Sequence, residues 1–513
     1  MIWLPVASMR PSIRWSAASQ SLALMGHVSY TRPNPKVMNA TVSRRTAPRR
    51  AASRPAASRL AVPKPLGNNT AWSFDMPTLS ADDIARLVEP DRVHRAVYTD
   101  PHVFELEMER LFGRAWLLLG HESQVPNPGD FFTTRMAREP VIVARHTDGS
   151  ARALINRCAH RGTTVCDAPS GTTRQFVCPY HGWTYGTDGA LAVVPFAEGY
   201  DPPAAGRRDL GLARVPRVDA YRGFIFASLA ADGPSLLEFL GHLRTSFDDL
   251  VDRAPSGQVE VAGGVFKHTY RGNWKLVLEN HNDAVHPAFV HASSIWAARE
   301  SSKPESDGYA EIAVRQMLQN GAPPELWEST GLWAAPSGHS FMGDYHTDSR
   351  LVTALDHPVF REYRTALERR VGAEAAARIL GVSRWNSIVY PSCSFMSQFR
   401  QLRIVQPLAV DRTLVSAYSF RLGGAPEQMF RDTVAFANVV NGTGSPVLTD
   451  DLEVYERAQH GLTTARSDWV YLGRGHGSDL PDEHRTWRGK TGTSEIHIRN
   501  QLAAWVRYLT DEP

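Results

Sequence analysis

Apolar residues recur at helical spacing in several stretches of the chain and at strand spacing in others. In "DPHVFELEMERLFGRAW", Phe104, Met108, Leu111 and Phe112 repeat at intervals of three and four, which predicts a helix inside an N-terminal segment, 76–115, that packs on the body of the protein. The stretch "HPVFREYRTALERRVGAEAAARILG" is helical in the same sense. The closing "SEIHIRNQLAAWVRYL" offers Ile496, Ile498, Leu502, Trp505 and Leu509 for packing. By contrast, "EPVIVARH" and "ARALINRC" run apolar or alternate on either side of the turn "TDGS", as antiparallel strands do. Residues 295–350 are rich in Gly, Ser, Pro and Trp and are expected to be loops over a pocket. No internal repeat is present.

Composition adds a boundary. Residues 1–74 contain eleven Lys/Arg and no acid, so the formal charge of +3 misleads: the remainder has 45 basic against 53 acidic residues. A body of that sign gives no support to nucleic-acid binding. The Arg-, Ala-, Ser- and Pro-rich stretch within 1–75 cannot bury enough surface to offset ordering, and is expected to be a disordered tail, through either an over-extended start or a targeting segment. No run of 18 apolar residues occurs, so no membrane span is expected. Four cysteines in 513 residues do not make a disulfide framework and fit a reducing, cytoplasmic setting.

Cys158 and His160 form CxH, and Cys178 and His181 form CxxH, with seventeen residues between the halves. Two thiolates and two imidazoles suit tetrahedral zinc, or two irons of which one takes the thiolates and the other the imidazoles. Followed by "GWTYGTDGAL", the pair resembles the Rieske [2Fe–2S] family. Tyr180 stands where the respiratory type carries an additional cysteine. Cys166 therefore reads as a small buried hydrophobe.

A second stretch, "GNWKLVLENHNDAVHPAFVHASS", holds Asp283, His286 and His291. On one unbroken helix the histidines would point about 140° apart. Pro287 is expected to kink the segment between them. Two imidazoles and a carboxylate from elsewhere make the facial triad of non-haem Fe(II). From about residue 76 to the end the chain resembles the α subunit of Rieske non-haem iron aromatic-ring-hydroxylating oxygenases.

The resemblance implies an α+β fold, with a small antiparallel β Rieske domain at 116–230 and a larger catalytic domain at 231–513, an antiparallel sheet flanked by helices. It implies a [2Fe–2S] cluster on Cys158, His160, Cys178 and His181, and mononuclear Fe(II) on His286 and His291. Asp283 would link the cluster of one subunit to the iron of its neighbour, with Asn280 and Glu279 on the same turn. The third iron ligand is expected in "GTGSPVLTDDLEVYERAQHG" at Asp451, with Asp450 capping the helix start. Val285 departs from relatives that carry an aromatic residue there. The implied activity is O2-dependent di- or monohydroxylation of an aromatic ring, with aromatic carboxylates among the candidate substrates. Electrons would come from a ferredoxin or an NAD(P)H-dependent reductase, since no nucleotide fingerprint is present and "GRGHGSD" lacks the required spacing. A homotrimer, or an α3β3 assembly with a small β subunit, is implied. Demethylation, electron transfer alone and a zinc module are the alternatives. His268, His339 and His346 read as surface or satisfied histidines. Of Arg400 and Arg403, three positions apart on a strand, at most one is expected to face a pocket.

Overall fold

Strands Asp130–Met136, Glu139–Arg145 and Ala151–Ile155 pair in antiparallel register and bury both faces. Phe131, Ile142, Ala144 and Leu154 point into a small core with Cys158, Cys178 and Tyr185. Their neighbours Phe132, Val141, Val143 and Ala153 point the other way, into the main core. This two-sided burial explains the apolar run of "PVIVA", because each successive side chain meets a different core. The computed structural model describes residues 79–200, 203–204, 207–301, 317–318, 320–344, 358–482 and 484–510. The 1–75 tail, His346 and much of the 295–350 stretch lie outside those residues.

Two further small sheets complete this half: Gln175–Val177, Thr184–Gly186 and Leu191–Val193 beside the cysteine loops, and Arg217–Tyr221, Phe224–Ser228 and Leu117–His121 against the main core. Among the described residues, the larger half holds a nine-stranded antiparallel sheet. Its spatial order is Val259–Tyr270, Arg412–Leu422, Gln401–Ala409, Cys393–Met396, Ser383–Val389, Ser340–Asp344, Leu332–Ala334, Trp487–Arg488 and Leu480–Pro481. Helices Trp274–His281, Glu427–Val440, Leu448–Leu462 and Ile496–Thr510 lie among the elements around it. All five apolar residues expected of the last helix are buried.

Three expectations are corrected. The N-terminal helix is regular only over Pro101–Leu106 and continues as a π turn over Glu107–Leu111. The wider turn rotates the buried face, so Glu107 is fully buried where Met108 was expected, and Met108 is half-buried. The "HPVFREY…ARILG" stretch divides into Pro358–Val371 and Ala373–Gly381 because Gly372 takes φ of 84°, a left-handed conformation that ends a helix. The described part of 295–350 is mostly regular: it supplies a helix, Pro324–Ser329, and two strands of the large sheet. Two of its tryptophans mislead a loop reading, since Trp327 and Trp333 are buried while Trp296 is exposed.

Candidate functional site

The two cysteine loops share one backbone design. Cys158 N–H donates to Thr163 O and Gly162 N–H to Cys158 O; Cys178 N–H donates to Trp183 O and Gly182 N–H to Cys178 O. Gly162 and Gly182 both take positive φ, 74° and 70°, which closes each tight turn. The thiols are buried and free, and the rings of His160 and His181 lie 4.6 Å apart at 67°. Trp183 stacks on His160 at 4.9 Å, and the buried Nδ1 of His160 has no partner in the protein. Burial, then the neighbouring His181, lowers the pKa of His160, which favours the neutral imidazole that ligates metal. Tyr185 Oη lies 3.1 Å from Cys158 Sγ and accepts a bond from Ala159 N–H. Asn156 pins the intervening loop by accepting from Val165 and Cys166 N–H. Cys166 is half-buried rather than buried, and burial raises its thiol pKa. The four donors are spread too widely for one zinc ion: among the described residues, only His286, His291 and Asp451 bring three ligand atoms within 4.8 Å of one another.

That second group forms because the helix breaks before the histidines rather than between them. Helix Trp274–His281 ends, Asp283 Oδ1 accepts from Val285 N–H at 2.7 Å, and Pro287 opens a new short helix, Pro287–Val290, with His286 and His291 at its two caps. Pro287 thus starts a helix, its missing N–H costing nothing there, instead of kinking one. The imidazole rings converge to 5.5 Å. Asp451 Oδ1 lies 3.8 Å from His286 Nε2 and 3.5 Å from His291 Nε2, while Asp283 and Asp450 approach the rear nitrogens, Nδ1, at 3.6 and 3.5 Å. Asn280 Nδ2 donates to Asp451 Oδ1. The helix Leu448–Leu462 begins earlier than expected, with Val447 at its cap, so Asp450 lies inside the first turn and does not cap it.

Burial raises the pKa of Asp451 to about 6, against the pull of His286. Burial lowers that of His291 to about 4, aided by His286. For His286, burial works downward but the Asp283 and Asp451 carboxylates outweigh it and the net shift is upward. Glu279 is not in the cavity wall; it accepts from Tyr98 Oη at 2.9 Å.

These groups open on a cavity of about 110 Å³, walled by Asn280, Asp283, His286, His291 and Asp451 and by Val277, Trp327, Trp385, Phe399 and Val440. His268, His281 and Arg403 also face it. His268 was expected to be a satisfied or surface residue, yet its buried Nδ1 has no partner. His339 is a satisfied core histidine, between Phe239 O and Tyr390 N–H. His281 was not singled out by the sequence; Ser394 Oγ holds its Nδ1 at 2.7 Å. Arg400 turns away to Thr433 and Arg403 faces inward, so one of the two looks into the cavity.

The Rieske [2Fe-2S] domain family matches residues 115–209, and the ring hydroxylating alpha subunit catalytic domain matches 258–509. The α subunit of toluate 1,2-dioxygenase from Pseudomonas putida is 34% identical over 83% of this chain and 90% of its own length. The large subunit of 2-halobenzoate 1,2-dioxygenase from Burkholderia cepacia is 33% identical over 77% of this chain and 82% of its own. A naphthalene 1,2-dioxygenase structure with indole bound superimposes with a TM-score of 0.71 at 26% identity, covering 84% of this chain and 95% of that one. No helix among the described residues is long and apolar enough to cross a membrane. The chain therefore belongs to the ring-hydroxylating oxygenase α-subunit family, oxidoreductases that carry a Rieske [2Fe–2S] centre and a mononuclear iron and act as the terminal component supplied by a separate ferredoxin or reductase.

Proposed function

We propose that this chain cis-dihydroxylates a single-ring aromatic compound, with residues 116–230 carrying the cluster and 231–513 the oxygenation site. The convergence of His286, His291 and Asp451 on a cavity walled by aromatic and aliphatic side chains carries this reading. A cavity of this size is of the order that admits one ring, since an apolar cavity of about 150 Å³ takes up benzene. Cys158, His160, Cys178 and His181 would hold the cluster, and His286, His291 and Asp451 the iron. When bound, the cluster stores single electrons and the ferrous ion supplies the site at which O2 is reduced. In balance, the ring, O2, two electrons and two protons give one dihydrodiol.

The chain's own residues orient this chemistry. Asn280 fixes the carboxylate rotamer of Asp451, and Asp450 sits behind His291. Asp283 sits behind His286 with a side chain still 35% exposed, so it is not sealed in the core. That placement supports Asp283 as the link to the cluster histidine of a neighbouring copy in a trimer or α3β3 assembly. The free cysteines suit the cytoplasm.

The test is iron analysis of fully loaded protein followed by turnover of toluene and benzoate under 18O2 with a reductase and ferredoxin. Three irons per chain and a product carrying both labelled oxygens are expected. Two irons, or O2 consumption without any oxygenated product, would refute the proposal.

A further inference from the structure

Among the described residues, Arg403 is a buried cation with no ion-paired carboxylate. It lies on strand Gln401–Ala409, paired with Ser394 and Ala417 on either side, and is 8% exposed. Its Nε donates to Asn441 Oδ1 at 2.8 Å, and Asn441 Nδ2 in turn donates to Gln401 Oε1 at 3.0 Å. Its Nη2 lies 3.4 Å from Met396 Sδ, a weak acceptor. Its Nη1 is buried with no partner, and among the described residues no carboxylate forms an ion pair with it. Asp451 is near enough to act on it electrostatically but does not pair with it.

A guanidinium taken out of water and left unpaired is costly, because Arg cannot shed its proton to escape the penalty. Such a group persists where something else completes it. Here the orphaned Nη1 belongs to a residue of the cavity wall, and a second orphan in that wall, His268 Nδ1, lies within electrostatic range of it. The same wall supplies apolar surface through Val277, Val415 and Phe399, and His281, within electrostatic range of both orphans, is a further polar group beside them. The arrangement combines one held cationic donor, one neutral polar neighbour and space for a ring.

We propose that Arg403 is the specificity-determining residue of the cavity and pairs with the carboxylate of an aromatic acid, with His268 as its polar neighbour. This rests on the cavity being the oxygenation site. The clamp by Asn441 holds the guanidinium before substrate arrives, so little side-chain freedom is lost on binding. Charge-assisted pairing in a desolvated wall discriminates strongly against rings that lack the anion, because the buried donor is then left unmatched.

The experiment compares benzoate with toluene, and with benzamide as a neutral isostere, on reconstituted wild type, R403Q and R403K. One readout is kcat/KM with product analysis; the other is quenching of tryptophan fluorescence, which Trp327 and Trp385 in the wall make sensitive to occupancy. Wild type should prefer benzoate to both neutral rings. R403Q should lower the benzoate-to-toluene ratio about 100-fold or more, chiefly through KM, with R403K between the two. A ratio within threefold of wild type in R403Q overturns the proposal. Should R403Q fail to fold, the wild-type titrations decide, and equal affinity for benzoate and benzamide overturns it. Benzoate quenching that depends on Arg403, without product from any ring, would uphold Arg403 as an anion site and refute the oxygenation reading instead.

Discussion

Replacing Glu107 tests how the site is anchored to the rest of the molecule. Its side chain is fully buried and accepts from Lys275 Nζ at 2.5 Å, Trp274 Nε1 at 2.8 Å and Trp505 Nε1 at 2.7 Å. Lys275 is 2% exposed, so it has no water to turn to. Removing one partner of a buried ion pair costs about 3–5 kcal/mol. Each indole N–H left unpaired adds about 1–3 kcal/mol, though not additively within one network. E107A is thus expected to lose most of a total stability of about 5–15 kcal/mol. E107Q keeps the shape and an acceptor and should lose about 3 kcal/mol. Removing both charges in E107Q/K275M should recover much of that loss, since neutral replacements of buried pairs are often well tolerated. Denaturant midpoints of these variants and of K275M alone measure the coupling. Iron content supplies a second readout, because helix Trp274–His281 starts at this anchor and carries Asn280 to Asp451. A loss below 1 kcal/mol in E107Q, or a double variant equal to the sum of the singles, refutes the argument.

Glu279 makes a pH prediction. Burial lifts its carboxyl pKa to about 7, so between about pH 4.5 and 7 the folded chain holds a proton that the unfolded chain has lost, and stability should fall as pH rises through that window and then level off. Because Glu279 keeps some exposed surface, the fall is at most about 3 kcal/mol, and E279Q should flatten it in unfolding curves at pH 5 and 8. In the cluster loop, G182V forces a side chain into φ of 70° with Pro195 Cγ 3.1 Å from the new Cβ, and should cost about 1–3 kcal/mol and lower the visible absorbance per chain. Y185F removes the hydroxyl beside Cys158 Sγ and should lower the midpoint potential in a redox titration, because hydrogen bonds to cluster ligands favour the reduced form; an unchanged potential counts against that contact.

Local chemistry was legible along the chain where one short stretch carries its own geometry. The CxH and CxxH loops hold all four donors and their turn glycines within 158–182, and His286 and His291 lie five positions apart around a proline. Asp450 and Asp451 read from the chain only as adjacent acids at a helix start; both fall within the first helical turn, and one residue of rotation sends Asp451 to the two Nε2 atoms and Asp450 to the rear of His291. Other features arise only when distant segments meet. Glu107 reads as an exposed helix acid until a π turn swings it onto Lys275 and Trp505, 168 and 398 positions away. Arg403 reads as one of two strand arginines until the sheet turns it inward, and His268 and His281 read as ordinary histidines until the strands and helix that carry them enclose one cavity. The sequence by itself determined the candidate Cys–His pairs and the spacing of His286 and His291, because ligand spacing and turn chemistry within one short stretch are local, whereas Asp451 reaches them only through the fold. The tertiary structure alone decided which buried charges are paired and that Arg403 is left facing the cavity, because compensation of a charge depends on neighbours from the whole chain.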